Sequence, residues 1–275
     1  MKILRYATSD GAAWGILEND WVYAVEGDVY SGEFGKGAAV GGLESMALLA
    51  PCEPKEIVSI GANYESRCKE NNLKIPETPG EGDKFYIAPE ALVGPGAPLL
   101  IPRHEPRVDY SGELAIVMGR ECDHASESEA LDCVLGYSIL HNAWAKGKTP
   151  DEIDWPKKGI RAYATFCPVG PCIETEIDPM NVAWETRVNG EVRQKANTSE
   201  MLFNIGQMVA SVSEDYKLQP GDVIQTGTAC GVGPMSPGDV IEIAFEGIGV
   251  LRNLAVDGGE MRPIRLEKVS YGGRN

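Results

Sequence analysis

The seven cysteines form no CxxC pair, and the three histidines, at 104, 124 and 141, are scattered. A structural zinc site needs a closer set of Cys and His ligands, so none is expected. The odd number of isolated thiols points to reduced cysteines and a cytoplasmic setting. No apolar run approaches the roughly 18 residues that cross a bilayer. The opening Met1-Lys2-Ile3-Leu4-Arg5 leads into polar residues rather than the apolar core of a secretory signal. Positive charge is also short: 25 Lys and Arg face 41 Asp and Glu, a net charge of −16. That balance, with a pI near 4.7, argues against nucleic acid and anionic membrane as partners.

What is present is a chain of 275 residues, 43% hydrophobic, enough for one large domain with a small appendage. The 32 Gly and 18 Pro punctuate it into short strands and turns. Residues 1–50 read as a small, separate β-rich N-terminal domain, with strands at Lys2–Tyr6, Ala13–Leu17 and Trp21–Ala24. Pro51–Pro54 is a linker, and residues 55–275 form the main domain. The fold class expected is mixed α+β, mainly β.

The organising stretch is Val108–Gly119, VDYSGELAIVMG. It alternates as a half-buried strand does, with Val108, Tyr110 and Gly112 on one face and Asp109, Ser111 and Glu113 on the other. Leu114–Met118 then enters a core, so two carboxylates and a hydroxyl stand at the mouth of a buried strand. Around it, Ser126-x-x-Glu129 is a capping box opening a helix through Val134. Phe166–Ile173 carries Pro168 and Pro171 and reads as an irregular edge strand. Asn189-Gly190 between alternating runs predicts a type I′ hairpin. Thr198 is expected to cap a helix with Met201, Leu202, Ile205, Met208, Val209 and Val212 on one stripe. Gly227–Gly233 is a glycine-rich loop without the Lys of a nucleotide loop. Segments 71–84 and 146–159 read as loops over a site.

These runs together resemble the fumarylacetoacetate hydrolase family from about Ile57 to Val256. The motifs are Gly61–Glu70 (GANYESRCKE), Ala91–Gly96 (ALVGPG), Val108–Arg120, Val188–Met201 and Leu218–Gly233. The resemblance implies a β-roll C-terminal domain, a homodimer, and reactions of 2-oxo or β-diketo acids: C–C hydrolysis, decarboxylation or tautomerisation. It implies Mg²⁺ or Mn²⁺ on three carboxylates, because a hard cation takes oxygen ligands and can hold an enolate. Here those metal positions fall on Ser111, Glu113 and Asn142, a weak or lost site with one carboxylate. The family's catalytic Lys falls on Arg161, and its His–Glu pair on Arg67 and Glu70. Tyr64, Gln194, Gly227 and Thr228 fall on substrate-binding positions. Two Arg and two Glu cancel in charge, so the site is expected to be weakly dependent on Mg²⁺ or Mn²⁺ or to use no ion, with guanidinium groups taking over the ion's role. Proton transfer then falls to Glu70, Glu113 or His141, although a regular strand turns His141 away from Asn142. The bland reading of Arg67 and Arg161 is ion pairing with the two Glu, and Cys230 reads as a buried, inert thiol. The expected function is an enzyme acting on a small carboxylate; the alternative is a catalytically inactive binding or scaffolding subunit of the same fold.

Overall fold

The computed structural model describes residues 1–81, 84–146 and 163–264. The described residues are mainly β, with three short α-helices among them: α1 (Glu65–Glu70), α2 (Glu127–Asp132) and α3 (Ile205–Ser213). Among the described residues no helix is long and apolar enough to cross a membrane.

One large mixed sheet runs through the molecule. It begins with the meander of Glu33–Gly42, Trp21–Asp28, Gly11–Glu18 and Lys2–Thr8. It continues through Cys167–Glu174, Val134–His141, Gly112–Met118, Val223–Gln225, Ile57–Ile60 and Lys84–Ile87. The N-terminal strands join this sheet. Lys2 and Ile3 pair antiparallel with Glu174 and Ile173, which carries the sheet across the boundary. A second sheet orders Glu191–Asn197, Ala183–Val188, Val240–Phe245, Gly249–Asp257 and Leu99–Ile101. Its hairpin turns at Asn189 (φ 54°) and Gly190 (φ 82°), the two positive φ values that a type I′ turn requires.

The organising stretch is divided between sheets. Val108–Tyr110 joins Trp144–Ala145 and Gly233–Met235 in a small sheet, while Gly112–Met118 lies inside the large one. Gly112 has to be glycine, because a Cβ there would lie 2.5 Å from Thr186 Oγ1. Both faces of Gly112–Met118 are covered: Leu114, Ile116 and Met118 pack into one apolar cluster, Ala115 and Val117 into another. Each large aliphatic side chain so buried contributes roughly 1.5–3 kcal/mol. The half-buried strand of the sequence reading is thus buried throughout, and Asp109, Ser111 and Glu113 are interior groups. Alternation marks opposite faces but cannot tell a solvated face from one covered by a second layer.

Two other expectations change. Cys167–Glu174 is not an edge: it pairs with Lys2–Thr8 on one side and Val134–His141 on the other, its prolines tolerated beside a register shift. Thr198 opens only a single 3-10 turn, and α3 begins at Ile205 with Asn204 as its cap. The intervening N–H groups are captured elsewhere, Leu202 N by the Asn63 carbonyl (2.8 Å) and Phe203 N by Asn63 Oδ1 (2.9 Å). That keeps the chain extended for three more residues. The capping box at Ser126 forms as expected and starts α2.

Candidate active site

A cavity of about 300 Å³ opens where the strand Gly112–Met118 meets α1 and the glycine-rich loop. Arg67, Ser111, Glu113, Asn142, Gly227 and Thr228 line it, with Leu73, Phe85, Trp144 and Val232 supplying apolar wall. Four separate chain segments converge here because the large sheet places Ile57–Ile60, Val223–Gln225, Gly112–Met118 and Val134–His141 side by side.

Glu113 is 2% exposed. Gly227 N donates to its Oε2 at 3.0 Å and Asn142 Nδ2 to its Oε1 at 2.8 Å. Gly227 reaches it with φ of 82°, a left-handed conformation in which a Cβ would lie 2.8 Å from the Ile60 carbonyl. Ser111 Oγ donates to the Asn142 carbonyl at 2.9 Å and stands 3.4 Å from Glu113 Oε1. Asn142 Oδ1 is buried and has no hydrogen-bond partner. Gln194 ties the loop to the strand: it accepts from Gly112 N at 3.0 Å and donates to Thr228 Oγ1 at 2.9 Å. Thr228 Oγ1 in turn donates to the Gly112 carbonyl at 2.7 Å.

Arg67 lines the cavity and is also ion-paired with Glu70, one turn along α1. The other oxygen of Glu70 accepts from Gly231 N at 2.9 Å, which pins the glycine-rich loop to the helix. Arg67 thus reaches the cavity while keeping its ion pair on the helix.

The remaining candidates distribute unevenly. Glu70 faces Arg67 and Gly231 and is not a lining residue. Tyr64 is 1% exposed, packed edge-on against Trp184 in the core, and Gln194 lies behind the wall. His141 is buried away from the cavity, and burial holds its imidazole down at about 3. Asp109 belongs to a different network, held by Arg107 and Lys146. Cys230, expected to be buried, is instead exposed on the glycine-rich loop. Arg161 and the loop over residues 147–162 lie outside the described residues.

Among the described residues, the donor set around Glu113 does not by itself fit a resident divalent ion. Both oxygens of its one carboxylate accept N–H groups, and Asn142 presents an N–H rather than an oxygen towards Glu113. Ser111 spends its proton on a carbonyl. No group of three His, Cys, Asp or Glu side chains that could hold a metal exists among the described residues. A reluctantly dehydrated ion such as Mg²⁺ needs more negative oxygen than this.

Sequence reasoning did not find the clamp on Glu113, nor the apolar wall of Leu73, Phe85 and Trp144. The glycine-rich loop carried a signal for the first, since a loop that offers N–H groups inward needs glycine where φ is positive.

Comparison with known proteins agrees with this architecture. The model for the fumarylacetoacetate hydrolase C-terminal domain matches residues 56–256, and an Rv2993c-like N-terminal model matches residues 1–51. The crystal structure of 5-carboxymethyl-2-hydroxymuconate delta-isomerase from Mycobacterium smegmatis superposes with a TM-score of 0.83 at 35% identity, covering 94% of this chain and 100% of that one. Maleylpyruvate hydrolase from Sphingobium sp. SYK-6, solved with manganese(II) and pyruvate, gives 0.75 at 28% identity, over 94% and 100% of the two chains. Oxaloacetate tautomerase fahd2 of Xenopus laevis is 34% identical over 230 residues, 77% of this chain and 69% of that protein.

Proposed function

The chain belongs to the fumarylacetoacetate hydrolase family, and from that membership we propose that it is an enzyme moving a proton next to the oxo group of a 2-oxo carboxylic acid. The observation that carries this reading is Glu113: an interior carboxylate, fixed by two N–H donors, on the wall of a cavity that also holds a guanidinium. The isomerase, hydrolase and tautomerase relatives support it, since 2-oxo acid and enol chemistry runs through their names.

In this mechanism Arg67 holds the substrate carboxylate. A guanidinium stays charged and binds carboxylates through paired N–H bonds. Glu113 takes a proton from the carbon beside the oxo group; the C–H electron pair becomes the C=C bond and the carbonyl π pair moves onto the oxygen as the enolate forms. Return of the same proton to that oxygen completes tautomerisation to the enol, and the steps reverse for the opposite direction. The donors from Gly227 and Asn142 hold Glu113 in place. Phe85 and Trp144 limit water at the reacting carbon. No step is assigned to a metal ion, because the described residues do not make a site for one.

The test is proton–deuterium exchange at the carbon beside the oxo group, followed by NMR for oxaloacetate and pyruvate with a chelator present. Accelerated exchange that disappears in Glu113→Gln is expected. Binding of these acids without exchange would replace this reading with the inactive binding subunit. Exchange that returns only with added Mn²⁺ would replace the metal-free mechanism.

A further inference from the structure

We infer that Cys122 and Cys133 are an oxidisable dithiol, a modification site at which a small external disulfide such as oxidised glutathione closes an intramolecular disulfide.

The two residues look isolated in the chain, but the fold brings them together. The hairpin of Gly112–Met118 and Val134–His141 pairs Gly112 with His141 at one end and Met118 with Val134 at the other. Glu113 and Asn142 belong to the first end, at the cavity. At the second end the chain leaving Met118 wraps around Cys133. Gly119 N and Arg120 N both donate to the Cys133 carbonyl, at 2.7 and 3.1 Å. The Cys133 thiol donates back to the Glu121 carbonyl at 3.4 Å, the peptide group that leads directly into Cys122. Cys122 is fixed by a bridge to Leu218, with N–H to carbonyl bonds in both directions at 3.0 and 2.9 Å. Its side chain belongs to the apolar cluster against which Cys133 packs. Its thiol meets the Cys133 thiol and the Ser213 hydroxyl. The site lies at the other end of the hairpin from the cavity and does not depend on the proposed reaction.

The two thiols differ in access. Cys122 is buried, whereas Cys133, the C-cap of α2, is partly exposed. An external disulfide therefore meets Cys133 first. The Cys133 thiolate attacks one sulfur of oxidised glutathione, whose S–S bond breaks, and one glutathione thiolate leaves. The Cys122 thiolate then attacks Cys133 Sγ in the mixed disulfide, and the second glutathione leaves. Two protein thiols are oxidised, one glutathione disulfide is reduced to two thiols, and the two protein protons end on them. Burial pushes the Cys122 thiol up to about 12, and the Cys133 thiol donates to the carbonyls of Glu121 and Glu129. Both hold back the thiolate that exchange requires, so closure runs over hours rather than seconds. The new bond closes the short loop that contains α2 and staples the hairpin at the end away from Glu113.

Incubation of the intact protein in glutathione buffers of rising oxidised fraction, followed by acid quench and mass spectrometry, tests this. The expected product has lost two hydrogens, carries no glutathione on Cys133 and yields a peptide linking Cys122 to Cys133. It should melt roughly 5 °C above the reduced protein, the scale of one short-loop disulfide in a chain of this size, and a dithiol reductant should remove the shift. Cys122→Ala should instead retain one glutathione on Cys133, because the resolving thiol is gone. Cys230, exposed on the glycine-rich loop, reports in the same sample that the buffer modifies an ordinary exposed thiol. Glutathione that stays on Cys133 in the wild type would overturn the inference. So would a cross-link from either residue to any other cysteine, or free thiols at both once Cys230 is modified. The wild-type readings decide the matter whether or not Cys122→Ala folds.

Discussion

Asp109 and Glu113 stand four residues apart and are both interior, 0% and 2% exposed, yet the fold treats them differently. Asp109 accepts from Arg107 Nε at 2.5 Å and Nη2 at 3.1 Å, and pairs with Lys146 Nζ at 3.0 Å. Two cations cancel its charge, and it lies off the cavity. Lys146 also caps the ring of Trp144, 4.8 Å from its centre. Glu113 accepts from the Gly227 backbone and the Asn142 amide and stands on the wall of the cavity. Burial alone therefore does not separate the two acids; their places do. Asp109 ties strands together away from the cavity, whereas Glu113 stands where a ligand would bind.

Substituting each acid by its amide would break the comparison if it is wrong. Glu113→Gln should lower turnover by about 10³-fold or more, the scale of a lost general base, with the fold retained. A turnover change of less than a few-fold would remove Glu113 from the chemistry. His141, paired in register with Gly112, extends the contrast to a third interior group. Neither ring nitrogen has a hydrogen-bond partner, and burial lowers its pKa to about 3. Between its unfolded value near 6.5 and that folded value, the unfolded chain takes up a proton that the native state refuses. Stability from this group is therefore lost as pH falls through that window, on the order of 3 kcal/mol between pH 7 and pH 4. Denaturant titrations at the two pH values should show the loss in the wild type and a smaller one in His141→Gln. Asp109→Asn should cost about 1–2 kcal/mol and leave turnover within a few-fold. The discount from a fully buried pair is due to Arg107 and Lys146, which are 43% and 38% exposed and regain water when released. A large loss of turnover at unchanged stability would move Asp109 into the site.

Local chemistry was legible in the chain: the hairpin at Asn189-Gly190, the cap at Ser126, and the short helix pairing Arg67 with Glu70 all follow from spacing alone. So was the mainly β class. What spacing cannot carry is the second layer. It covers the acidic face of the organising strand, draws Cys167–Glu174 from an expected edge into the centre, and delays α3 through Asn63. The site divides the same way. Ser111, Glu113, Asn142, Gly227 and Thr228 come together on the cavity wall, because strand neighbours in one sheet share an end. Tyr64 and Gln194 fall behind it, because a position in a motif does not say which way a side chain turns.

Glu70 provides the smallest and most discriminating test. One carboxylate oxygen pairs with Arg67 and the other accepts from Gly231 N. Glu70→Gln can keep the bond to Gly231 through its amide oxygen while removing the negative charge beside Arg67. If Glu70 is a tether and a partial counter-charge, Arg67 is freed towards the cavity and carboxylate ligands bind about 2- to 5-fold tighter, the scale of an exposed ion pair. Turnover is then largely retained. If Glu70 is itself a base, the same substitution removes the proton acceptor, and turnover collapses without any gain in binding. Affinity and turnover thus move in opposite senses under the two roles. Measuring both on one variant decides whether proton transfer belongs to the carboxylate on the cavity wall or to the one paired behind it.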